Sequence, residues 1–354
     1  MNRQIYIFIL LLFAQSAFAD FEFYRGVRQM GMGGASIAVV NDETSVLSNA
    51  NGLGKLRDYF FTVVDPEVTA SANRTDVLSG TLGLGSVSPQ DLYDELSRNP
   101  NQPYYFKSQI FPSVVVPNFG VGLLGKYEVL AQRNSDGTYD YNYLNDYGLV
   151  LGYNLRFWGG RIKWGFTGKM INRVQYHGVL DPSTDSLDLS AFASEGLGVG
   201  LDSGLTLAGP WFWIPTLTVY IRDVGHTSFT TGGGIFGMGN NGDPAPIEQS
   251  VDAAFAIFPI LSNHSRATFT VEYTNLLDTK NVDDHMDRTH IGMEVNVWDA
   301  YFFRAGYHQN DWTAGLEYST DFLQFQMATY SEPIIVNGFE QRDRRGIFKF
   351  AMRF

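Results

Sequence analysis

Residues 266–274 read RATFTVEYT, with apolar and polar side chains in alternation. In an extended chain, Phe269 and Val271 would face one side, whereas Thr270 and Glu272 would face the other. The nine residues of this stretch match the ~9–11 residues that a tilted strand needs to cross a bilayer. The stretch therefore predicts a membrane-spanning strand with one face toward lipid and a polar face toward a lumen.

The same alternation recurs along the chain, for example in residues 162–170, 290–297 and 312–318. The fourteen candidate strands are residues 56–72, 104–116, 119–132, 139–154, 160–177, 195–208, 213–229, 248–259, 264–276, 287–297, 299–308, 311–319, 321–332 and 344–354. An even count is typical of single-chain bacterial barrels. The sequence thus predicts an all-β fold, a transmembrane 14-stranded antiparallel up-and-down β-barrel over residues 56–354.

The connections between these strands alternate in length, as they do in outer-membrane barrels with short periplasmic turns and long external loops. The short set is 117–118, 157–159, 209–212, 260–263, 298 and 320; the long set is 73–103, 132–138, 178–194, 230–247, 277–285 and 332–343, with a tight turn at 309–310 as the exception. Tryptophans such as Trp158, Trp211 and Trp298 lie at the short turns, where an interfacial aromatic girdle belongs. A soluble β-sandwich also alternates, but the long strands and the alternating turn lengths favour the barrel.

The N-terminus has the features of a secretory signal peptide at residues 1–19. Arg3 supplies a basic residue, residues 5–13 are apolar, and residues 17–19 read AFA before Asp20. We therefore expect export to the bacterial outer membrane. The chain contains no Cys, which removes both a disulfide framework and a lipid anchor at the cleavage site.

The charge balance argues against a nucleic-acid partner. Of 25 Lys and Arg residues one lies in the signal, so the mature chain carries 24 basic and 37 acidic residues, a net charge of -13. Such a surface repels phosphate backbones.

Residues 20–55 precede the first strand and are predicted to form a plug inside the barrel. Each Gly in 31–34 would cost a helix about 1 kcal/mol relative to Ala, yet the neighbouring apolar side chains need cover. The plug or gate candidates are Arg25, Arg28, Met30, Gly31, Met32, Gly33, Gly34, Asp42, Glu43, Asn49 and Asn51.

Short motifs in this segment and in the strands resemble a known family. Residues 30–35 (MGMGGA) with 39–43 (VVNDE), and residues 48–53 (SNANGL), resemble the N-terminal hatch of the FadL-like and PorV-like outer-membrane barrels. Members of this superfamily usually carry Asn-Pro-Ala-Gly-Leu at the second motif, where this chain has Ala50 for the proline and Asn51 for the alanine. The resemblance continues at residues 222–225 (RDVG) and 304–307 (RAGY), and it implies a plugged fourteen-stranded barrel of the OMPP1/FadL/TodX type.

The last strand ends in phenylalanine and carries Phe350, Met352 and Phe354 on one face. This pattern resembles the terminal signal read by the bacterial barrel-assembly machinery, which is therefore an expected partner during biogenesis. A last lipid-facing strand would need the same residues.

Charged side chains opposite the apolar faces are candidates for the lumen, because a charge is costly toward lipid but can be hydrated or paired inside. They are Lys163, Lys169, Arg173, Glu272, Glu294, Arg304 and Glu317, together with Lys349 and Arg353. They could line a transport path, or they could anchor the plug through Arg25, Arg28, Asp42 and Glu43. The second interpretation is favoured, since polar lumens are general in such barrels.

The sequence shows no linear catalytic or metal motif, so we expect neither an enzyme nor a cofactor. Neither a Gly-x-Ser-x-Gly elbow nor His-Glu-x-x-His occurs. Residues 283–285 (DDH) have a spacing that fits a solvated loop better than a metal site.

The glycine-rich loop at 232–239 carries Ile235, Phe236 and Met238. On a flexible backbone these apolar residues could capture a hydrophobic ligand or contact a protein partner, and a mobile loop tip is an equal alternative.

The leading hypothesis for function is passive uptake of hydrophobic compounds, such as long-chain fatty acids, past the plug of an outer-membrane barrel. The alternatives are a PorV-like non-conducting scaffold that binds secreted or surface proteins, and a general diffusion porin, which the long plug disfavours. Expected partners are outer-membrane lipids, a hydrophobic small molecule, and a protein at the external loops.

Overall fold

The computed structural model describes residues 22–72, 96–98, 102–134, 136–181, 192–232, 234–237, 242–277, 285–336 and 339–354. The predicted signal peptide at 1–19 lies outside these residues, as do Met238, Asp283 and Asp284. Within the described ranges, no helix has the length and apolar character needed to cross a membrane.

Eighteen strand segments in the described residues form the fourteen strands of one closed barrel. Strands β1, β2, β7 and β8 each consist of two segments. The bounds are β1 Phe60–Val64 and Glu67–Ser71, β2 Tyr104–Ile110 and Ser113–Val116, β3 Phe119–Arg133, β4 Tyr139–Phe157, β5 Ile162–Leu180, β6 Ser194–Ala208, β7 Thr216–Arg222 and Phe229–Thr230, β8 Ser250–Ile257 and Ile260–Ser262, β9 Ser265–Tyr273, β10 Thr289–Val297, β11 Tyr301–His308, β12 Asp311–Ser319, β13 Leu323–Val336 and β14 Phe339–Arg353. The predicted fold class is confirmed.

The barrel closes where the last strand pairs with the first. Phe348 of β14 lies opposite Met327 of β13 on one side and opposite Val68 of β1 on the other, and both pairings are antiparallel. All other neighbours pair antiparallel as well, in chain order. Each described strand therefore finds both partners within one sheet, so none of them forms an open edge.

The period-two pattern sorts side chains between the two faces of the wall. In β9, Phe269 and Val271 are exposed on the outer face, whereas Thr270 and Glu272 are buried on the inner face. The outer face is thus an apolar surface suited to lipid, and the inner face is polar.

The predicted loop at 332–343 is wrong, because β13 continues to Val336 and β14 begins at Phe339. Pro333 and the polar run at 340–345 do not continue the alternation on which the strand predictions rest. The ladder nonetheless continues, with Ile334 opposite Gln341. A hairpin that extends beyond a membrane needs no apolar face, so alternation cannot reveal it.

Two neighbouring strands are interrupted at the same level. The gap in β1 contains Asp65, the gap in β2 contains Phe111, and the Phe111 backbone N–H donates to the Asp65 carboxylate. A side chain therefore replaces ladder hydrogen bonds at this place, and the Phe111 side chain is buried.

Candidate functional site: the lumen and its N-terminal segment

Residues 22–56, here called the N-terminal segment, carry three short helical elements. These are the α-helices α1 (Val27–Gly31) and α2 (Ser45–Ser48) and a 3₁₀-helix (Ala50–Lys55). The chain turns after α1 at Gly33 and Gly34, whose φ angles of 65° and 87° favour glycine. Helices this short are marginal in isolation, so the surrounding wall must stabilise them.

Glycines bring the backbone of the segment against the backbone of the wall. A Cβ atom added to Gly306 of β11 would lie 2.2 Å from the backbone nitrogen of Gly33. The Cα atom of Gly315 of β12 lies 3.2 Å from the position of a Cβ atom at Gly31. A side chain at Gly306 would force the segment away from the wall, whereas one at Gly31 would require a shift of only a few tenths of an ångström.

The apolar side chains of the segment are buried within the barrel. Met32, Ile37 and Ala38 are each 0% exposed, and they pack with Tyr220 of β7 and Ala254 of β8. Met30 is also buried, in a cluster with Val27 and residues of β13 and β14. The inner wall therefore shields these apolar side chains from water, as the sequence led us to expect.

Arg28 is the centre of a buried ionic network between the segment and the wall. Its Nε and Nη2 atoms donate to both carboxylate oxygens of Glu294 in β10, at 3.0 and 2.8 Å. Its Nη1 atom donates to Asp42 at 2.8 Å. Glu294 also accepts from Arg304 at 2.7 Å, and Arg304 pairs in turn with Glu317. The segment thereby completes a chain of alternating charges that the wall begins.

Glu43 pairs with two cations of β14. Its carboxylate lies 3.3 Å from Lys349 Nζ and 3.4 Å from Arg353 Nη1, and Glu43 is 1% exposed. Lys349 also pairs with Asp65 at 3.4 Å. The inward cations of the last strand are therefore neutralised by the segment and by the interruption in β1.

Backbone groups of the segment, and the Arg25 side chain, bind further side chains of the same half of the wall. Glu272 of β9 accepts from the N–H groups of Ser36 and Ile37 at 2.8 and 3.1 Å. His290 Nδ1 lies 2.7 Å from the Gly33 carbonyl oxygen. Arg25 reaches Glu332 of β13 at 2.6 Å. We call this side, from β9 to β14, the charge-paired face of the segment.

The opposite side of the segment makes mainly apolar contacts. Phe23, Tyr24, Val46, Leu47, Ala50 and Leu53 of the segment share one buried cluster with Phe111, Val115, Leu124, Val150 and Ile171 of the wall. These wall residues belong to β2, β3, β4 and β5. We call this side, from β2 to β5, the apolar face of the segment.

Charged side chains also occur near the apolar face, but their ion pairs lie within the wall. Arg173 of β5 donates twice to Asp146 of β4 at 2.8 Å. Lys169 lies 2.8 Å from both Asp202 and Asp223. Separation of the segment from this half of the wall would therefore leave these charges paired.

Two lysines of this half of the wall, Lys107 of β2 and Lys126 of β3, contact the segment through its backbone oxygens. Lys107 Nζ donates to the Arg25 carbonyl and Lys126 Nζ to the Glu22 carbonyl, both at 2.7 Å. With Glu128 these residues line a small polar cavity. Its mixed charges suit water better than an apolar molecule.

Two titratable groups of the segment have shifted pKa values. Burial raises the pKa of Asp42, but the Arg28 guanidinium and the Thr44 hydroxyl outweigh it and lower the value to about 2. Burial, together with the nearby charges of Lys163 and Arg28, lowers the pKa of Lys55 to about 7. Lys55 donates to the Ala38 carbonyl at 2.6 Å rather than to a carboxylate.

Of the two asparagines predicted in the plug, Asn49 donates to the Ile37 carbonyl at 2.7 Å, and Asn51 donates to Thr206 of β6 at 3.0 Å. The predicted lumen residue Lys163 donates to the Gly160 carbonyl near the short β4–β5 turn. The remaining lumen candidates, described above, all lie on the inner face. Asp146, Asp202 and His290 were missed as individual sites, although alternation along β4, β6 and β10 marks them as inward.

A scan against protein-family models finds no match, and a search of curated proteins finds none either. Solved structures do match over nearly the whole chain. The CymD monoaromatic hydrocarbon channel has a TM-score of 0.56 at 9% identity and covers 93% of this chain and 96% of its own. The P. putida toluene transporter TodX (TM-score 0.52, 11% identity, 93% and 97%) and the Ralstonia pickettii toluene transporter TbuX (0.50, 12%, 93% and 98%) are similar.

The chain has the FadL-like barrel fold. The resemblance seen in the short motifs is thereby confirmed at the level of architecture. Identities of 9–12% establish the fold alone.

On this FadL-like barrel, Ile235 and Phe236 lie against the outside of the wall. The Ile235 N–H donates to Asn172 at 3.0 Å and the Phe236 N–H donates to Glu195 at 2.9 Å. Both acceptors project from the outer face of β5 and β6. This placement is unlike that of a loop folded over the mouth, and Met238 lies outside the described residues.

The C-terminal strand of the FadL-like barrel places its aromatic residues outward. Phe350 packs against Phe325, and Phe354 packs against Phe322, with ring centroids 5.0 and 6.2 Å apart. Met352 is exposed between them.

In the part of the chain that the structure describes, no three His, Cys, Asp or Glu residues are arranged to hold a metal ion.

Proposed function

We propose that this chain is an outer-membrane barrel that lets small hydrophobic compounds pass without energy input between the N-terminal segment and strands β2–β5. Two observations support the proposal, the shared fold with hydrocarbon channels and the apolar outer wall, and the signal peptide predicted from the sequence agrees with it. The observation that carries it is the contrast between the two faces of the segment.

Separation of the charge-paired face from the wall would leave Glu294, Glu43 and Lys349 with fewer partners. Removing one partner of a buried ion pair typically costs about 3–5 kcal/mol. Separation of the apolar face would instead uncover side chains such as Val46 and Leu53. A hydrophobic molecule can cover those side chains and replace contacts of the same kind, so it can offset the cost of opening.

Glycines make room for this path along the inner wall. A Cβ atom at Gly120 of β3 would lie 2.4 Å from Val46, and one at Gly152 of β4 would lie 3.0 Å from Leu53. The segment therefore packs on bare backbone here, and a small displacement would open a trough without side chains. The interruption between β1 and β2 lies on the same side, because Phe111 belongs to this cluster.

The test uses disulfide tethers, since the chain has no Cys of its own. Val46→Cys with Gly152→Cys would close the apolar face, where the Cβ position at Gly152 lies 3.4 Å from Val46 Cγ1. Gly31→Cys with Ala328→Cys is the matched control on the charge-paired face, with 3.5 Å between Cβ positions. The control separation lies within the Cβ–Cβ range of disulfides, and in the apolar-face pair the introduced sulfur at position 46 would take the place of Val46 Cγ1, close to position 152.

We expect oxidation of the apolar-face tether to abolish uptake of a radiolabelled hydrocarbon by expressing cells, and reductant to restore it. The control tether should leave uptake unchanged. Equal inhibition by both tethers would mean that the whole segment must move. Uptake no higher than in cells without the protein would overturn transport and favour a scaffold that binds surface proteins.

The substrate class is a finer proposal. The solved channels are named for toluene and monoaromatic hydrocarbons, and we propose that compact hydrocarbons and fatty acids compete for the same apolar face. Uptake of labelled toluene should fall when a long-chain fatty acid is added. Independent uptake of the two compounds would contradict a shared path.

A further proposal concerns biogenesis. Phe350, Met352 and Phe354 would be read by the barrel-assembly machinery, after a signal peptidase has removed residues 1–19. Pulse-labelling should show slower insertion of Phe354→Ala into the outer membrane, with unchanged export to the periplasm. Normal insertion kinetics would leave these side chains as lipid contacts alone.

A further inference from the structure

The outer face of β4–β6 changes character along the strands. Tyr147 of β4 lies opposite Asn172 of β5, and Asn172 lies opposite Leu197 of β6. The next outward-facing residues toward the short turns are Leu149, Met170 and Val199, which lie side by side on the three strands. They are 36%, 45% and 73% exposed. This lower row is part of the apolar belt that suits lipid.

In the direction away from the short turns, the next outward-facing residue of β6 after Leu197 is Glu195, which is 3% exposed. Its carboxylate accepts from Asn172 Nδ2 at 2.9 Å and from the Phe236 N–H at 2.9 Å. The Asn172 carbonyl oxygen accepts from the Ile235 N–H at 3.0 Å. The two outward polar side chains therefore form a clip that holds the loop backbone on the outside of the wall.

The clip accounts for a glycine of the loop. A Cβ atom at Gly234 would lie 2.4 Å from the carboxyl carbon of Glu195, so a larger residue would force the loop away from it. Covering Glu195 with loop backbone also keeps its charge away from the apolar surface directly below, where a charge would be costly.

The clip presents two apolar side chains outward. Ile235 is 69% exposed and Phe236 is 48% exposed. The Phe236 ring lies 5.2 Å from the ring of Tyr147, which is itself exposed. Ile235 and Phe236 thus extend the lipid-facing belt farther from the short turns, without a break.

Farther along the strands, the outer face is covered by protein. Tyr141 and Tyr176 project outward there, and the Phe192 ring packs against both at 6.5 and 4.4 Å. Tyr141 is only 2% exposed. The surface that is open to lipid therefore ends at the level of the clip.

The height of the clip fits the edge of a bilayer. Ten residues separate Tyr147 from Phe157 at the short turn, a distance of about 33 Å along a strand. A tilt of about 40° converts it to about 25 Å along the membrane normal, the height of the apolar band of such barrels. Trp158, next to Phe157, is 82% exposed and marks the opposite edge.

We propose that Ile235 and Phe236 form a membrane anchor that sits in the boundary between headgroups and acyl chains of the external lipid leaflet, held there by Asn172 and Glu195. This inference rests on the membrane location in the proposed function, but not on transport. The anchor fixes the β7–β8 loop to the bilayer on the outer side of β4–β6.

The test places a fluorophore at single cysteines introduced into the Cys-free chain, in lipid vesicles. The sites are Phe236→Cys, Asp136→Cys in the exposed β3–β4 turn as the aqueous control, and Leu151→Cys in the middle of the lipid-facing belt as the deep control. Quenching is measured with aqueous iodide, with a nitroxide at the top of the acyl chain, and with a nitroxide deep in the chain.

We expect the shallow nitroxide to quench the label at 236 several-fold more than iodide does. The inference is overturned if the label at 236 behaves like the label at 136, or if neither quencher reaches it because protein covers it. Failure of the deep nitroxide to quench the label at 151 would instead overturn the membrane location itself.

The clip has its own matched pair of variants. Glu195→Ala removes the acceptor of the Phe236 N–H, whereas Glu195→Gln keeps an amide oxygen in its place. In Phe236→Cys protein, the alanine variant should raise iodide quenching several-fold, and the glutamine variant should leave it near the starting value. Unchanged quenching in the alanine variant would show that the clip does not position the anchor.

Discussion

The two faces of the N-terminal segment are both buried, yet they would respond differently to separation. On the charge-paired face, Arg28 and Glu43 share ion pairs with wall residues, so separation leaves charges on both sides. On the apolar face, Arg173 and Lys169 keep their wall partners, so separation exposes mainly apolar surface and breaks hydrogen bonds to segment carbonyls, such as that from Lys107 to Arg25. A single segment can therefore be fixed to one half of a barrel and released from the other.

The largest expected effect comes from Arg28→Ala on the charge-paired face. The substitution leaves Asp42 without its guanidinium and Glu294 with only Arg304, so the free energy of unfolding should fall by about 3–5 kcal/mol. Denaturant titration of the folded protein in detergent measures it. Arg28→Lys, which keeps the charge, should lose less; a loss below about 1 kcal/mol for alanine, as at exposed pairs, would contradict a buried network.

Glu43→Gln should have a smaller effect on the same face. Lys349 keeps Asp65 as a partner, so only the charge-assisted contacts of Glu43 are weakened, with an expected loss of about 1.5–3 kcal/mol. The same titration measures it. A loss equal to that of Arg28→Ala would show that Asp65 does not compensate.

Paired glycine substitutions compare the two faces directly. A Cβ atom at Gly165 would lie 2.5 Å from the Asn51 nitrogen, near the apolar face, and one at Gly306 would lie 2.2 Å from the Gly33 nitrogen. Overpacking should reduce stability by about 1–3 kcal/mol in each Ala variant. Only Gly165→Ala should also raise ion conductance in planar bilayers, because the apolar face can yield; equal conductance in both variants would remove the distinction.

The last prediction is a pH dependence at Lys55, whose amine is paired with a carbonyl and not with a carboxylate. Its pKa is about 7 in the folded chain, below its ordinary value of 10.5. Between these values the unfolded state binds more protons than the folded state, so the free energy of unfolding should rise with pH. Below pH 7 the destabilisation caused by Lys55 should no longer change with pH. Denaturant titrations at pH 7, 8 and 9 should show a smaller rise for Lys55→Met; identical slopes would assign the effect elsewhere.

Alternation in the sequence was sufficient to predict the barrel, its fourteen strands and the inward direction of Glu272, Glu294 and Arg304. It was insufficient for the β13–β14 hairpin, because strands outside a membrane need no apolar face. It also missed the outward clip at Glu195, since a polar residue on the apolar side is interpretable only when the loop that covers it is known.

The sequence by itself determined which face of the wall each side chain occupies, because successive residues of a strand must point to opposite sides. Only the tertiary structure decided which charges meet. Arg28 and Glu294 lie 266 positions apart in the chain, and no local pattern connects them. Closure of the barrel around the segment brings them together, and the same closure leaves Arg173 and Asp146 paired within the wall, which distinguishes the fixed face from the apolar one.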